Sequence, residues 1–391
     1  MTISGKGQHD SSFSADTGMG ECLVTGIKNS EGVNEANFII LYKKPSSKVA
    51  ASEIARQITI LKNNTKLRSI KDGPYGGSSI MLGGEKVGFM SSAEISPGQE
   101  FKLNSIRDLS LAQSAYQLEH NSTLWLPSMT ESDKISLPMS RLDGIASFGP
   151  YHADVSGKNG RKPRGPFILE DSDGNSGDTY PVLWAHDAEV ERCIQFEHDK
   201  AGLIHAVDDS NFQSLLNSKA ANVLATASNC HFNQNFRFNS QSTAFQFTSR
   251  LVIGGRAWLS VNLSDDKKEK ALTIWGNTSV GLLLHWWHAN KQQSGRGNIV
   301  KTALVSLPVL DIGKLSPKQL DAADFIFDEF KERPLKPFNE IADDPVRQEL
   351  DEAFFTRVLG FDIAMFATNG PFNLLRSKFD NEPSIQGSKL K

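Results

Sequence analysis

Cysteine is scarce in this 391-residue chain: Cys22, Cys193 and Cys230 are far apart and odd in number. That pattern argues against a disulfide framework and against a cysteine-based zinc site, and it suits a reducing compartment. Long hydrophobic runs are missing too, since no stretch approaches the roughly 18 consecutive apolar residues of a membrane span. The opening MTISGKGQHDSSFS has no apolar signal core. A cytoplasmic protein with no membrane partner is the expectation. The motifs of several enzyme classes are equally absent. There is no GxxxxGK[ST] phosphate loop, no GxSxG elbow, no HExxH and no Pro-Pro dipeptide. Gly18-Met19-Gly20 follows Asp16, but its flank HDSSFSA is too polar to be the buried strand that precedes a dinucleotide-binding loop. His285 and His288 lie one helical turn apart, yet Trp286 and Trp287 between them mark a packing face, and a zinc site needs a third ligand. No metal is expected. A net charge of −3 gives no overall attraction to a polyanion, so any nucleic-acid role must rest on a local patch.

What is present is an ordinary globular composition, 39% hydrophobic and 22% charged, with chain enough for two or three domains. Residues 1 to about 17 read as a polar lead-in. ECLVTGIK (21–28) and NFIILYK (37–43) have strand length and are read as an antiparallel hairpin, followed by a helix over 49–62. From 100 to 260 the chain is mixed and strand-leaning, with a helix expected over 105–117 and strands over 121–126, 182–184, 192–196 and 259–263. Phe232, Phe236 and Phe238 alternate with Asn, Gln and Arg, as do Phe245 and Phe247. The alternation predicts half-buried strands with an amide-rich exposed face. Trp275–Leu310 combines a buried helix over 280–287, a loop in which Gly295 and Gly297 bracket Arg296, and a closing Leu-Pro piece. Helices follow from Ser316-Pro317 and over 345–360, and the last 20 residues are expected to be loose. Asp265-Asp266 and Asp343-Asp344 read as solvated acidic pairs.

Two local patches stand out. GKNGRKPRG (157–165) is a basic loop carrying Lys158, Arg161, Lys162 and Arg164, followed at once by the acidic EDSDGNSGD (170–178). Residues 201–300 hold nine Lys/Arg against five Asp/Glu, a net of +4, while residues 301–370 hold eight against thirteen, a net of −5. Arg237, Asn239, Gln241, Arg256, Gln292, Gln293 and Arg296 fall on the positive stretch. Arg pairs bidentately with guanine, and Asn or Gln with adenine, in the major groove. Lys and Arg also fix register on phosphates. These side chains, with those of the basic loop, are the candidate DNA contacts; no catalytic residue is identified.

HFNQNFRFNSQ (231–241), GGRAW (254–258), GLLLHWWHANKQQSGRGN (281–298), SLPVLDIGKLSPKQL (306–320) and IFDEFKER…DPVRQELDEAFF (326–355) resemble, in that order, the C-terminal region of large bacterial adenine-specific (N-6) DNA methyltransferases of restriction-modification and phage-defence systems. FSADTGMGECLVTGIK (13–28) resembles the hairpin that closes their catalytic sheet. The resemblance covers most of 13–60 and 180–360. It implies a mixed α/β (α+β) fold: a hairpin and helix of a methyltransferase-type sheet (1–65), a target-recognition-like α/β domain (66–312), a small helical segment (313–365) and a loose tail (366–391). The family's Asn-Pro-Pro-Tyr/Phe motif cannot be here without a Pro-Pro, and the glycine-rich S-adenosylmethionine turn is missing. Methyl transfer needs the base extruded into a pocket built by such motifs. The resemblance therefore implies a specificity half, a split subunit or a truncated reading frame, inactive alone. Its partners would be double-stranded DNA and a catalytic half that binds S-adenosylmethionine, with no cofactor in this chain. A complete enzyme with an unrecognised site, or a non-catalytic interaction subunit of a defence complex, are the alternatives.

Overall fold

The computed structural model describes residues 2–3, 35–42, 45–63, 70–73, 77–94, 106, 108–171, 179–188, 190–292 and 295–386. Its architecture is mixed α/β. Four strands, β1 (Thr2–Ile3), β2 (Glu35–Leu41), β3 (Ser78–Leu82) and β4 (Glu85–Glu94), form a sheet in the order β1-β2-β4-β3. The 37–43 run is thus a strand as expected, but its antiparallel partner among the described residues is β4, with Phe38 opposite Ser91. Residues 21–28, the expected partner, lie outside the described residues. Helix α1 (Lys48–Lys62) packs Ile54 against this sheet with Leu41, Ile80 and Val87.

The main sheet has seven strands: β5 (Ser147–Phe148), β6 (Phe167–Glu170), β7 (Tyr180–Leu183), β8 (Lys200–Ile204), β9 (Ser228–Asn233), β10 (Phe245–Gly254) and β11 (Trp258–Asn262). They run in the order β6-β8-β7-β10-β9-β11-β5, with only β7 and β10 parallel. Helix α2 (Leu109–Asn121) begins four residues later than expected, because Asp108 accepts from the Ser110 amide and caps it. Helix α3 (Ser210–Leu224) had no sequence expectation. The stretch 192–196 forms no strand beyond a bridge from Gln195 to Phe247.

The amide-rich segment departs most from expectation. Residues Phe245 to Thr248 of β10 are all buried, and Asn233, Gln241 and Gln246 are buried with them. The amides are spent internally: Gln246 Nε2 donates to Cys193 O (3.0 Å) and to Thr243 Oγ1 (2.7 Å). A buried amide must find partners inside, and here those partners stitch β10 to the neighbouring loops. For Asn233, Gln241 and Gln246 the exposed amide face is corrected to an internal one, while Asn235 and Arg237 stay exposed, alternating with buried Phe236 and Phe238 as expected.

Two helices cover β9 and β10. Helix α4 (Asp266–Asn277), not foreseen, is capped by Asp265 and ends where Thr278 caps α5 (Ser279–His288) through the Gly281 amide (3.1 Å). The expectation of a buried helix here holds: Val280 to Trp287 are all buried. His285 sits between the Phe232 and Phe236 rings, each 5.1 Å away, and burial pushes its pKa down to about 3. Burial likewise takes His231 down to about 3.

Helices α6 (Pro317–Phe330), α7 (Pro345–Ala353) and α8 (Pro371–Phe379) follow, with α6 packed against α4 and α8 against α5. Helix α6 starts in a Ser316–Gln319 capping box with Pro317 at its first turn. The residues after 370, expected to be loose, instead form α8. Its Phe372, Leu375 and Phe379 are fully buried in the main core, which gathers side chains from Ile40 to Ile385. Asp344 is not solvated either: it is fully buried, caps α7 and faces Arg347 at 3.3 Å.

Candidate nucleic-acid interface

The expected loop around Arg296 is a β-hairpin. Strands β12 (Asn290–Gln292) and β13 (Arg296–Asn298) pair antiparallel, with Gln292 opposite Arg296. On its other edge β13 pairs with the 234–238 segment. Gly297 N donates to Phe236 O (2.8 Å), Phe238 N to Gly295 O (2.7 Å) and Ile299 N to Gln234 O (3.0 Å). Arg237 and Arg296 are therefore opposite one another in an antiparallel bridge.

The local sequence dictates which way each side chain faces. Phe236 and Phe238 are fully buried, around His285 and Phe338, so the alternation turns Arg237 outward. The two glycines beside Arg296 are both required. A Cβ on Gly297 would lie 2.4 Å from the Phe238 ring, and Gly295 has φ of +71° with Asn239 close against it. On the same face, one step along, Asn298 Nδ2 donates to Asn235 Oδ1 (2.5 Å). An Asn pair and an Arg pair thus face solvent side by side.

A third guanidinium comes from the turn between β10 and β11. Gly255 lets the Trp184 ring lie on the backbone, where a Cβ would stand 2.0 Å from it, and the chain then exposes Arg256. Arg237, Arg256 and Arg296 line one open cleft of about 400 Å³, with Trp184, His186, Asn235 and Asn298 on its walls. None of the three guanidinium groups has a hydrogen-bond or ion-pair partner among the described residues. His186 leans on the buried Glu191 carboxylate (Nδ1 to Oε2, 3.3 Å), which also accepts from the Asp187 amide (2.8 Å).

The other expected contacts divide. Asn239 is half-buried against Gly295. Gln241 is buried, and its Oε1 accepts from the Arg237 amide (2.6 Å), so it shapes the turn that presents Arg237 instead of reaching solvent. Gln292 lies on β12, while Gln293 lies outside the described residues. Lys158, Arg161, Lys162 and Arg164 form a separate exposed hairpin, 158–159 against 162–163. Arg164 is paired with Asp154 (2.8 Å), and the Lys162 ammonium lies 6.0 Å from the Phe212 ring. One group links hairpin and cleft: His152, whose pKa is lowered by burial and then by the fields of Arg256 and Arg164. Sequence reading missed Trp184, His186, Asn235 and Asn298. The predicted period-2 alternation already sets Asn235 on the face of Arg237, whereas Asn298 follows Arg296 only because 296–298, expected as a loop, is a strand. Trp184 and His186 carry no such signal.

Among the described residues no group of three His, Cys, Asp or Glu side chains is placed to hold a metal ion, and no helix is long and apolar enough to cross a membrane. No family model matches the chain, and no curated protein does. Among solved structures it is similar to the type IIG restriction endonuclease BpuSI, at a TM-score of 0.43 and 12% identity, over 91% of this chain and 40% of that one. The chain thus spans less than half the length of that protein, and a likeness so slight does not assign a shared fold.

Proposed function

We propose that this chain reads DNA sequence for site-specific adenine N6 methylation, as the specificity half of a methyltransferase of a restriction-modification or phage-defence system. The observation that carries the reading is the Arg237–Arg296 pair. Residues opposite each other in an antiparallel bridge place their side chains on one face about 5 Å apart, and like charges there are destabilising. The fold keeps this arrangement, adds Arg256, and supplies none of the three with a carboxylate among the described residues. A polyanion is the partner that turns such a cost into binding free energy. Guanidinium groups suit both phosphate and guanine, and the Asn235–Asn298 pair offers amides beside them.

Because β2 pairs with β4 across the boundary expected at residue 65, the N-terminal sheet is taken whole in this reading. Strands β1 to β4 with α1 meet a catalytic half, the seven-stranded sheet and the β12–β13 hairpin meet the duplex, and α6 and α7 support them. The catalytic half, a separate chain or a missing region, supplies the Asn-Pro-Pro-Tyr/Phe motif and S-adenosylmethionine. Selection from a random duplex pool tests the reading: the full chain, alone or with its catalytic half, should enrich a recurring sequence. Failure to retain any duplex in either form would sink it.

A further inference from the structure

Beyond the arginine cleft lies a row of rings that the duplex-reading proposal does not use. Tyr151, His152 and Trp184 follow one another, with centroids 4.0 Å apart from Tyr151 to His152 and 6.4 Å from His152 to Trp184. Trp184 is itself a wall of the cleft. The far end of the row is open: Tyr151, which precedes the short 152–156 helix, is 49% exposed. Arg256 stands beside the row, in the cleft whose wall is Trp184, while Arg164 on the hairpin side is held by Asp154 at 2.8 Å. Burial first, and then the fields of Arg256 and Arg164, hold the His152 pKa below the ordinary imidazole value, against the opposing field of Asp154.

An exposed aromatic row beside a cationic cleft has a specific chemical fit. Every nucleobase offers a flat face for stacking, and the backbone on either side of it offers phosphates. A paired base keeps its faces inside the helix, so only a base out of the stack can use such a row. We infer that Tyr151, at the head of the Tyr151–His152–Trp184 row, stacks on an unpaired base of DNA whose duplex portion lies in the arginine cleft. The row makes the protein a reader of locally opened DNA, with Arg256 holding a phosphate beside the displaced base. This inference rests on the duplex-reading proposal for the same cleft.

The test compares three probes on the full chain: a perfect duplex, the same duplex with one unpaired 2-aminopurine, and the corresponding single strand. The bulged duplex should bind roughly tenfold tighter than the perfect one, a factor within the range of one base–aromatic stack. Its 2-aminopurine fluorescence should fall on binding. Tyr151→Ala should bring the bulged-to-perfect ratio close to one and leave perfect-duplex affinity unchanged, while Tyr151→Phe should keep the ratio. Equal binding of bulged and perfect duplex by the native chain would overturn the inference and leave the cleft proposal standing. So would a Tyr151→Ala variant that keeps the ratio, or single strand bound better than both. Failure to bind any of the probes would overturn both.

Discussion

Two clusters of arginine in this protein have opposite environments. Arg347 and Arg376 are 0% and 2% exposed. Arg347 donates to the carbonyls of Asn277 (2.5 Å) and Ser242 (2.8 Å) and faces Asp344, while Arg376 meets Asp351 at 2.6 Å. Asp351 in turn holds both the amide and the hydroxyl of Ser279 at the α4–α5 junction. Arg237, Arg256 and Arg296 are exposed, converge on one cleft, and have no carboxylate among the described residues. The buried cluster answers every guanidinium from within, because an unpaired charge inside a protein is costly. The exposed cluster leaves its charge to be answered from outside. Residue type alone does not distinguish the two; the presence or absence of an internal partner does.

The sharpest way to break the comparison is to exchange the expected effects. Arg376→Ala should lose about 3–5 kcal/mol of stability in denaturant titration, since it strands the buried Asp351 carboxylate. A loss below about 1 kcal/mol would show that the cluster is not the structural one. Acid should act on the same side. His285 and His231 have folded pKa values near 3 against an unfolded value near 6.5, so the unfolded state binds more protons between those limits. Stability from this source is fully present above pH 6.5 and falls as pH drops, by about 1.4 kcal/mol per pH unit for each histidine. His285→Phe should flatten that limb in a series of denaturation curves from pH 7 to 4. An unchanged slope would contradict the buried, neutral state of His285.

On the exposed side, Arg296→Ala or Arg237→Ala should weaken duplex binding by about 1–3 kcal/mol if either makes a bidentate base contact. Thermal unfolding should scarcely notice the same changes: removing one of two like charges should shift stability by less than about 0.5 kcal/mol, and upward. A large loss of stability in Arg296→Ala would place it with the structural cluster. Gly297→Ala joins the two regions, because its methyl group would press on the Phe238 ring beneath the cleft. It should cost about 1–3 kcal/mol and disturb duplex binding together with stability.

The sequence pointed to the right arginines more readily than to the right amides, for a physical reason. Arg237, Arg256 and Arg296 each stand next to glycine or phenylalanine, so neighbours fixed in the core leave the long cation no direction but outward. Gln241 and Gln246 share the same polar, aromatic-punctuated context, yet they face inward to satisfy buried backbone groups. A short alternating run looks the same whether the sheet carries solvent or protein on its second face; here α4 covers the Phe245 face, and the segment around Cys193, whose carbonyl takes Gln246, covers the other. The buried α5 and its cap could be read from Thr278 and the apolar run that follows. The convergence of Trp184, Arg256 and the β13 hairpin could not, since it depends on contacts between segments about 40 to 110 residues apart along the chain.

The most direct measurement of the central claim is duplex affinity against salt for the native chain and for Arg237→Ala/Arg256→Ala/Arg296→Ala, with thermal unfolding of both recorded alongside. The account predicts a native log–log slope that reports several phosphate contacts. It also predicts a triple variant that folds normally and loses at least about tenfold in affinity, with its slope reduced by roughly 0.9 for each lost arginine that met a phosphate. A normally folded triple variant that binds duplex with native affinity and native slope would contradict it.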